Sequence, residues 1–210
     1  MAKAIRRLQK RVMPTRDVSD VVGPSLHTTR RNLPHWQAGG STYFITFHLK
    51  GSLDSPPHGS AGFQPAQAPT GASPSHRATA AQPALAPKER QIVKESILHW
   101  QGVKWTVHAL TVMPDHTHIL ATSQEKSEGE WHSLSDILHS VKRHSARQIN
   151  HLRGRRGSLW QPESFDRIVR DEEEFDEKAN YILSNAVNAG LVEDGWLYDG
   201  FWCEGVQGTP

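Results

Sequence analysis

Two runs of apolar and β-branched residues, KWTVHALTVM (104–113) and HTHILATS (116–123), are separated only by Pro114 and Asp115. Two strands joined by so short a connection must pair antiparallel, because a parallel crossover needs a dozen residues or more. This hairpin organises the rest of the reading. Upstream, STYFITFHL (41–49) is rich in aromatic and β-branched residues and is predicted as a strand. PKERQIVKESILHW (87–100) follows, with proline at a helix start and Ile92, Val93, Ile97 and Trp100 on one stripe. Downstream, Ser133 and Asp136 resemble a capping box ahead of an apolar stripe of Leu134, Ile137, Leu138, Val141, Ile149 and Leu152. SFDRIVR (164–170) alternates as a half-buried strand, and acidic residues 171–174 open a last helix reaching about Ala189, with Gly190 as its stop.

The order is β-α-β-β-α-β-α. It predicts an α+β fold: a ferredoxin-like, split-βαβ antiparallel sheet with helices on one face, the other face available, and an added C-terminal helix. A chain of 210 residues suits one such domain. Residues 55–87 are rich in Pro, Ala, Gly and Ser without hydrophobic period, and are read as a disordered insertion in a loop. Residues 1–30 carry eight of their ten charges as Lys or Arg if Arg31 is counted with them, and are read as a basic arm with a short helix around Ala4 to Val12. Residues 197–210 are read as an irregular tail.

The charge gradient from this arm to the acidic residues near 171–174 suits a partner that bears phosphates. The single cysteine, Cys203, excludes an internal disulfide and any thiolate cluster. No apolar run approaches a membrane span, and a cytoplasmic location without membrane association is expected.

His116 and His118 are the chemical focus. In a strand, residues i and i+2 face the same way, so their imidazoles are spaced to chelate one cation. The pair alone does not distinguish a metal site from packing or exposed histidines, since the chain has 13 of them. No HExxH helix is present to indicate a zinc protease. A site requires a third ligand, and the last helix has candidates. Its apolar stripe is Phe175, Ala179, Ile182 and Ala186, while Tyr181 and Asn185 lie one turn apart on a flank about 100° from that stripe. Lys178 shares this flank and is placed to hold a phosphate or phenolate. A tyrosine nucleophile suits phosphoryl transfer, because phenol ionises more readily than an alcohol and a phosphotyrosine ester retains the energy of the broken phosphodiester.

VMPDHTHIL, followed after a helix by LWQPESFDRIVRDEEEFDEKANYILSNAVNAGLV, resembles the single-tyrosine HUH transposases, most closely the REP-associated tyrosine transposases of bacteria. The resemblance spans residues 31–196, outside the arm, the insertion and the tail. It implies a transposase-like endonuclease and strand transferase acting on single-stranded DNA near hairpin-forming, REP-like repeats through a 5′-phosphotyrosine intermediate. It further implies Mg²⁺ or Mn²⁺ held by His116, His118 and Asn185, with Tyr181 as nucleophile. Two positions depart from the family pattern: Thr117, usually bulky and hydrophobic, and Ala186, usually proline.

Lys142, Arg143, Arg147, Arg153, Arg155 and Arg156 are candidates for phosphate contacts, a solvated helix face being the plainer explanation for the first three. Trp105, Trp131 and Trp160 are candidates for base stacking, with core packing or an interface as the plainer explanation. Two rival functions stay open, a metal-dependent phosphodiesterase that uses water and a catalytically inactive hairpin-binding protein. One tyrosine per subunit permits a monomer or a homodimer.

Overall fold

In a computed structural model, the structure describes residues 27–30, 34–37, 39–52 and 84–205. The predicted helix near Ala4, most of the basic arm and most of the Pro-rich insertion lie outside the described residues.

A five-stranded antiparallel sheet forms the centre of the fold. In chain order its strands are β3 (Thr42–His48), β4 (Trp105–Val112), β5 (His116–Ser123), β8 (Phe165–Ile168) and β9 (Phe201–Cys203), arranged in space as β8-β3-β5-β4-β9. Without β9 this is the split-βαβ order expected. Outside this sheet, β1 (His27–Arg30) pairs with β2 (Pro34–Gln37), and β6 (Glu125–Ser127) pairs with β7 (Glu130–Trp131). The helices are α1 (Pro87–Leu98), α2 (Leu134–Leu152) and α3 (Glu172–Asn188).

Alternation along β3 divides the molecule into two layers of core. Tyr43, Ile45 and Phe47 point toward α1 and α2 and pack with Val93, Ile97, Ile137, Val141 and Ile149. Phe44 points the other way, where with Ala109 and Leu120 it meets Phe175, Ala179 and Ile182 of α3. The added helix therefore covers the face that α1 and α2 leave open. Each fully buried Ile or Phe contributes about 1.5–3 kcal/mol relative to an exposed position.

Local signals set the helix ends. Ser133 accepts the Asp136 amide at 3.4 Å at the start of α2, and Asp171 accepts the Glu174 amide at 2.8 Å at the start of α3. The Glu174 carboxylate ties α3 to the edge strand β8 by accepting from Arg167 at 2.8 Å and Arg170 at 3.2 Å. Ala186 lies inside α3, and the helix runs on to Asn188. Gly190 ends it with φ +69°, a left-handed conformation that glycine adopts without strain.

The ends of the domain differ from expectation. Leu85, assigned to the insertion, is buried, and its amide donates to the Pro114 carbonyl at 2.6 Å. Residues after Trp196, read from sequence as an irregular tail, supply the edge strand β9 and a buried Tyr198 whose hydroxyl donates to the Val112 carbonyl at 2.9 Å. Asp199 receives the Arg90 guanidinium at 2.9 Å, which fastens this segment to α1.

Candidate active site

The β3–β5 register places Thr46 opposite His118 and His48 opposite His116, all on the α3 face at one end of the sheet. The two imidazoles of β5 lie with ring centroids 4.7 Å apart and planes at 71°. Each is held through Nδ1: His116 by the Asp115 carboxylate at 2.7 Å, His118 by the Thr46 hydroxyl at 2.8 Å. His116 is partly exposed, whereas His118 is buried. The bond to His116 holds the Asp115 carboxyl below its usual range, against the burial that would raise it.

Tyr181 projects from α3 onto this pair. Its ring centroid is 5.1 Å from that of His118 and 5.9 Å from that of Phe44, both edge-on. Phe44 itself stacks on His118 at 5.4 Å. The phenol is hydrogen-bonded to the Asn185 side chain, one helical turn onward. Burial pushes the Tyr181 phenol above its ordinary range, and the Asn185 bond acts in the opposite direction. Lys178, one turn earlier, is largely buried; its ammonium lies 5.7 Å from the Phe44 ring and donates to Glu177 at 2.8 Å. His116, His118, Tyr181, Asn185 and Lys178 thus belong to one neighbourhood.

Among the described residues, no three His, Cys, Asp or Glu side chains form a complete metal-ligand group. The groups that do come together are the imidazoles of His116 and His118, with the Tyr181 ring beside His118 and Asn185 one helical turn beyond Tyr181. An amide can donate N–H to the phenol while its carbonyl oxygen faces a cation, so the Tyr181–Asn185 bond and a ligand role for Asn185 are compatible. Two imidazoles and an amide are neutral donors of a kind that can hold a divalent cation.

The other basic candidates divide. Lys142 is engaged in the fold: its ammonium donates to the carbonyls of Pro162 and Glu163 at 3.2 and 3.1 Å and to the Ser164 hydroxyl at 2.8 Å. Arg153 forms a two-pronged pair with Glu89, at 2.6 and 2.7 Å, that locks the end of α2 to the start of α1. Arg143 and Arg147 are exposed on α2. Arg147, Arg155 and Arg156 line an open cleft of about 540 Å³ with Gln148, Asn150 and His151. This cleft belongs to the α1/α2 layer, on the opposite side of the sheet from Tyr181. It nonetheless lies near the same end as His116, because the chain that follows it bonds Lys50 to Leu159 and Gln161 to His48.

Of the tryptophans, Trp105 and Trp160 are core residues, and Trp131 packs over Gly39 and Gly40, where an added Cβ would collide with the indole. Thr46, His48, Phe44 and Asp115 carry no sequence signal of their own that marks them as site residues. Asp115 adjoins His116 in the chain, whereas Thr46 and His48 reach the site only through strand register. Thr117, between the two histidines, is fully buried on the other face, as alternation requires.

The antiparallel ferredoxin-like sheet thus carries a His-x-His pair that faces a helix-borne tyrosine. The family model described as "Transposase IS200 like" matches residues 73–185, more than half of the 210-residue chain, and the chain belongs to that family. A Haemophilus influenzae protein named as a REP-associated tyrosine transposase is 27% identical over 100 residues, covering 44% of this chain and 57% of that protein. The match thus spans little more than half the length of that relative. A solved structure of a REP-associated tyrosine transposase bound to a REP hairpin superposes with a TM-score of 0.55 at 17% identity, covering 82% of each chain. At that identity the likeness is one of fold. No helix among the described residues is long and apolar enough to cross a membrane.

Proposed function

We propose that the chain is a metal-dependent endonuclease and strand transferase that cuts single-stranded DNA beside hairpin-forming, REP-like repeats. The observation that carries this reading is the packing of the Tyr181 ring against His118, 5.1 Å between centroids, with His116 next to His118 at 4.7 Å. Family membership and the REP-associated relatives support the choice of DNA as substrate.

His116, His118 and Asn185 would hold Mn²⁺ or Mg²⁺, which supplies charge to polarise the scissile phosphate and to favour the phenolate. Neutral ligands leave that charge largely uncompensated, so an anionic phosphate is drawn to the site. Tyr181 Oη, having lost its proton, attacks phosphorus in line. An Oη–P bond forms, the P–O3′ bond breaks, and the departing 3′-oxygen takes up a proton. The products are a 5′-phosphotyrosine link and a free 3′-hydroxyl. Strand transfer reverses the step with another 3′-hydroxyl. Asn185 holds the phenol in place, and Lys178 adds positive charge beside it. Phosphate contacts from Arg143, Arg147, Arg155 and Arg156 would seat the hairpin stem on the α2 side, from which a single strand reaches His116 around the end of the sheet.

Incubating the full chain with hairpin DNA bearing a single-stranded flank and Mn²⁺ should yield a protein–DNA species that survives denaturation. Tyr181→Phe should abolish it while DNA binding persists. Continued cleavage by Tyr181→Phe would instead assign the chain to water-using phosphodiesterases, and hairpin binding with no cleavage under any divalent ion would make it an inactive binder.

A further inference from the structure

We infer that Asp115 and Thr46 are positioning residues that hold His116 and His118 by Nδ1 and so present Nε2 of each ring as the metal-binding atom. The inference rests on the metal-binding reading above and deepens it. A carboxylate can only accept, so the 2.7 Å contact to Asp115 requires the proton of neutral His116 to be on Nδ1, which leaves the lone pair on Nε2. The 2.8 Å contact between Thr46 and His118 produces the same tautomer when the hydroxyl accepts.

The two partners come from different elements. Thr46 is buried on β3 directly across from His118, which shields the pairing from water. Asp115 belongs to the hairpin turn, and its backbone carbonyl accepts the Leu49 amide at 2.8 Å, which fixes the turn against the end of β3. Both rings are therefore braced at Nδ1, at a centroid separation of 4.7 Å. Without these bonds each ring would distribute its proton over both nitrogens and turn about its side-chain torsions. Partners of this kind around metal-binding histidines typically alter affinity by about 10–100-fold.

The test combines tautomer and affinity measurements on the full chain. Long-range ¹H–¹⁵N spectra without metal, at mildly alkaline pH where imidazoles are neutral, should show protonated Nδ1 in both His116 and His118. Asp115→Ala should move His116 toward the Nε2–H tautomer and weaken Mn²⁺ binding, measured calorimetrically, by about 10–100-fold. Asp115→Asn, whose amide oxygen still accepts, should restore most of both. Thr46→Val and Thr46→Ser should behave likewise for His118, and the exposed position of Asp115 keeps the first pair interpretable if the Thr46 variants fold poorly. A wild-type spectrum with Nε2–H on His116, or Asp115→Ala binding Mn²⁺ as wild type does, would overturn the inference. Wild-type protein that shows these tautomers and binds Mn²⁺ but forms no DNA adduct would refute the transposase chemistry while leaving the positioning roles supported.

Discussion

Thr117→Val offers a direct probe of how the histidine strand is built. Thr117 is fully buried, in register with Phe47 on one neighbouring strand and Val112 on the other. Its hydroxyl finds no hydrogen-bond partner among the described residues. An unsatisfied buried hydroxyl costs about 1–3 kcal/mol. Valine replaces it with a methyl of similar size and suits a strand, so the variant should be more stable by about 1–3 kcal/mol, or roughly 2–12 °C in Tm for a chain of this length. Urea unfolding followed by tryptophan fluorescence should show a higher midpoint with an unchanged slope. Thr46→Val is the matched control: the same change on the opposite face strips His118 of its 2.8 Å partner and should destabilise by about 1–2 kcal/mol. Destabilisation by Thr117→Val, or equal stabilisation by both, would show that the assignment of faces is wrong.

Lys142→Met should cost about 1–2 kcal/mol, because its ammonium holds Pro162, Glu163 and Ser164 ahead of β8. Its effect on the salt dependence of DNA binding should be negligible, whereas Arg147→Ala or Arg156→Ala should reduce that slope by roughly 0.7–0.9 each. Stability should also fall in mild acid through His108, which is buried beside Phe175 and whose imidazole burial pushes down to about 4. The unfolded imidazole takes a proton near pH 6.5 and the native one only near 4. The contribution, about 3 kcal/mol, is therefore complete above pH 6.5 and disappears as pH falls toward 4. Glu204, 3.5 Å away but 35% exposed, is too solvated to offset this. Denaturant titrations across that range, compared with His108→Gln, should show the variant's profile flattened.

Periodicity made much of this architecture legible. The two-residue connection at Pro114–Asp115 forced the hairpin, and the alternation of β5 put His116 and His118 on one face with Thr117 on the other. The stripe of α3 is buried where its apolar residues predicted, which leaves Tyr181 and Asn185 on the flank toward the imidazoles. Contacts between residues distant in sequence were not legible. Lys142 and Arg153 carry the composition of DNA contacts, yet their partners lie 20 to 22 and 64 residues away and hold the fold together. Thr46 reaches His118 across 72 residues through strand register alone. The strand Phe201–Cys203 is too short, among glycines, to announce itself, and its place at the edge depends on pairing with β4. No local pattern indicated that α3 would cover the face opposite α1 and α2; that follows from Phe44, Ala109 and Leu120 requiring cover.

The central claim is tested most directly by mapping the covalent link. After reaction with hairpin DNA and Mn²⁺, nuclease trimming and proteolysis, mass spectrometry should find a 5′-phosphodeoxynucleotide on the peptide that contains Tyr181, with fragment ions placing it on that residue. A nucleotide on any other side chain, or cleaved DNA with no modified peptide, would contradict the account.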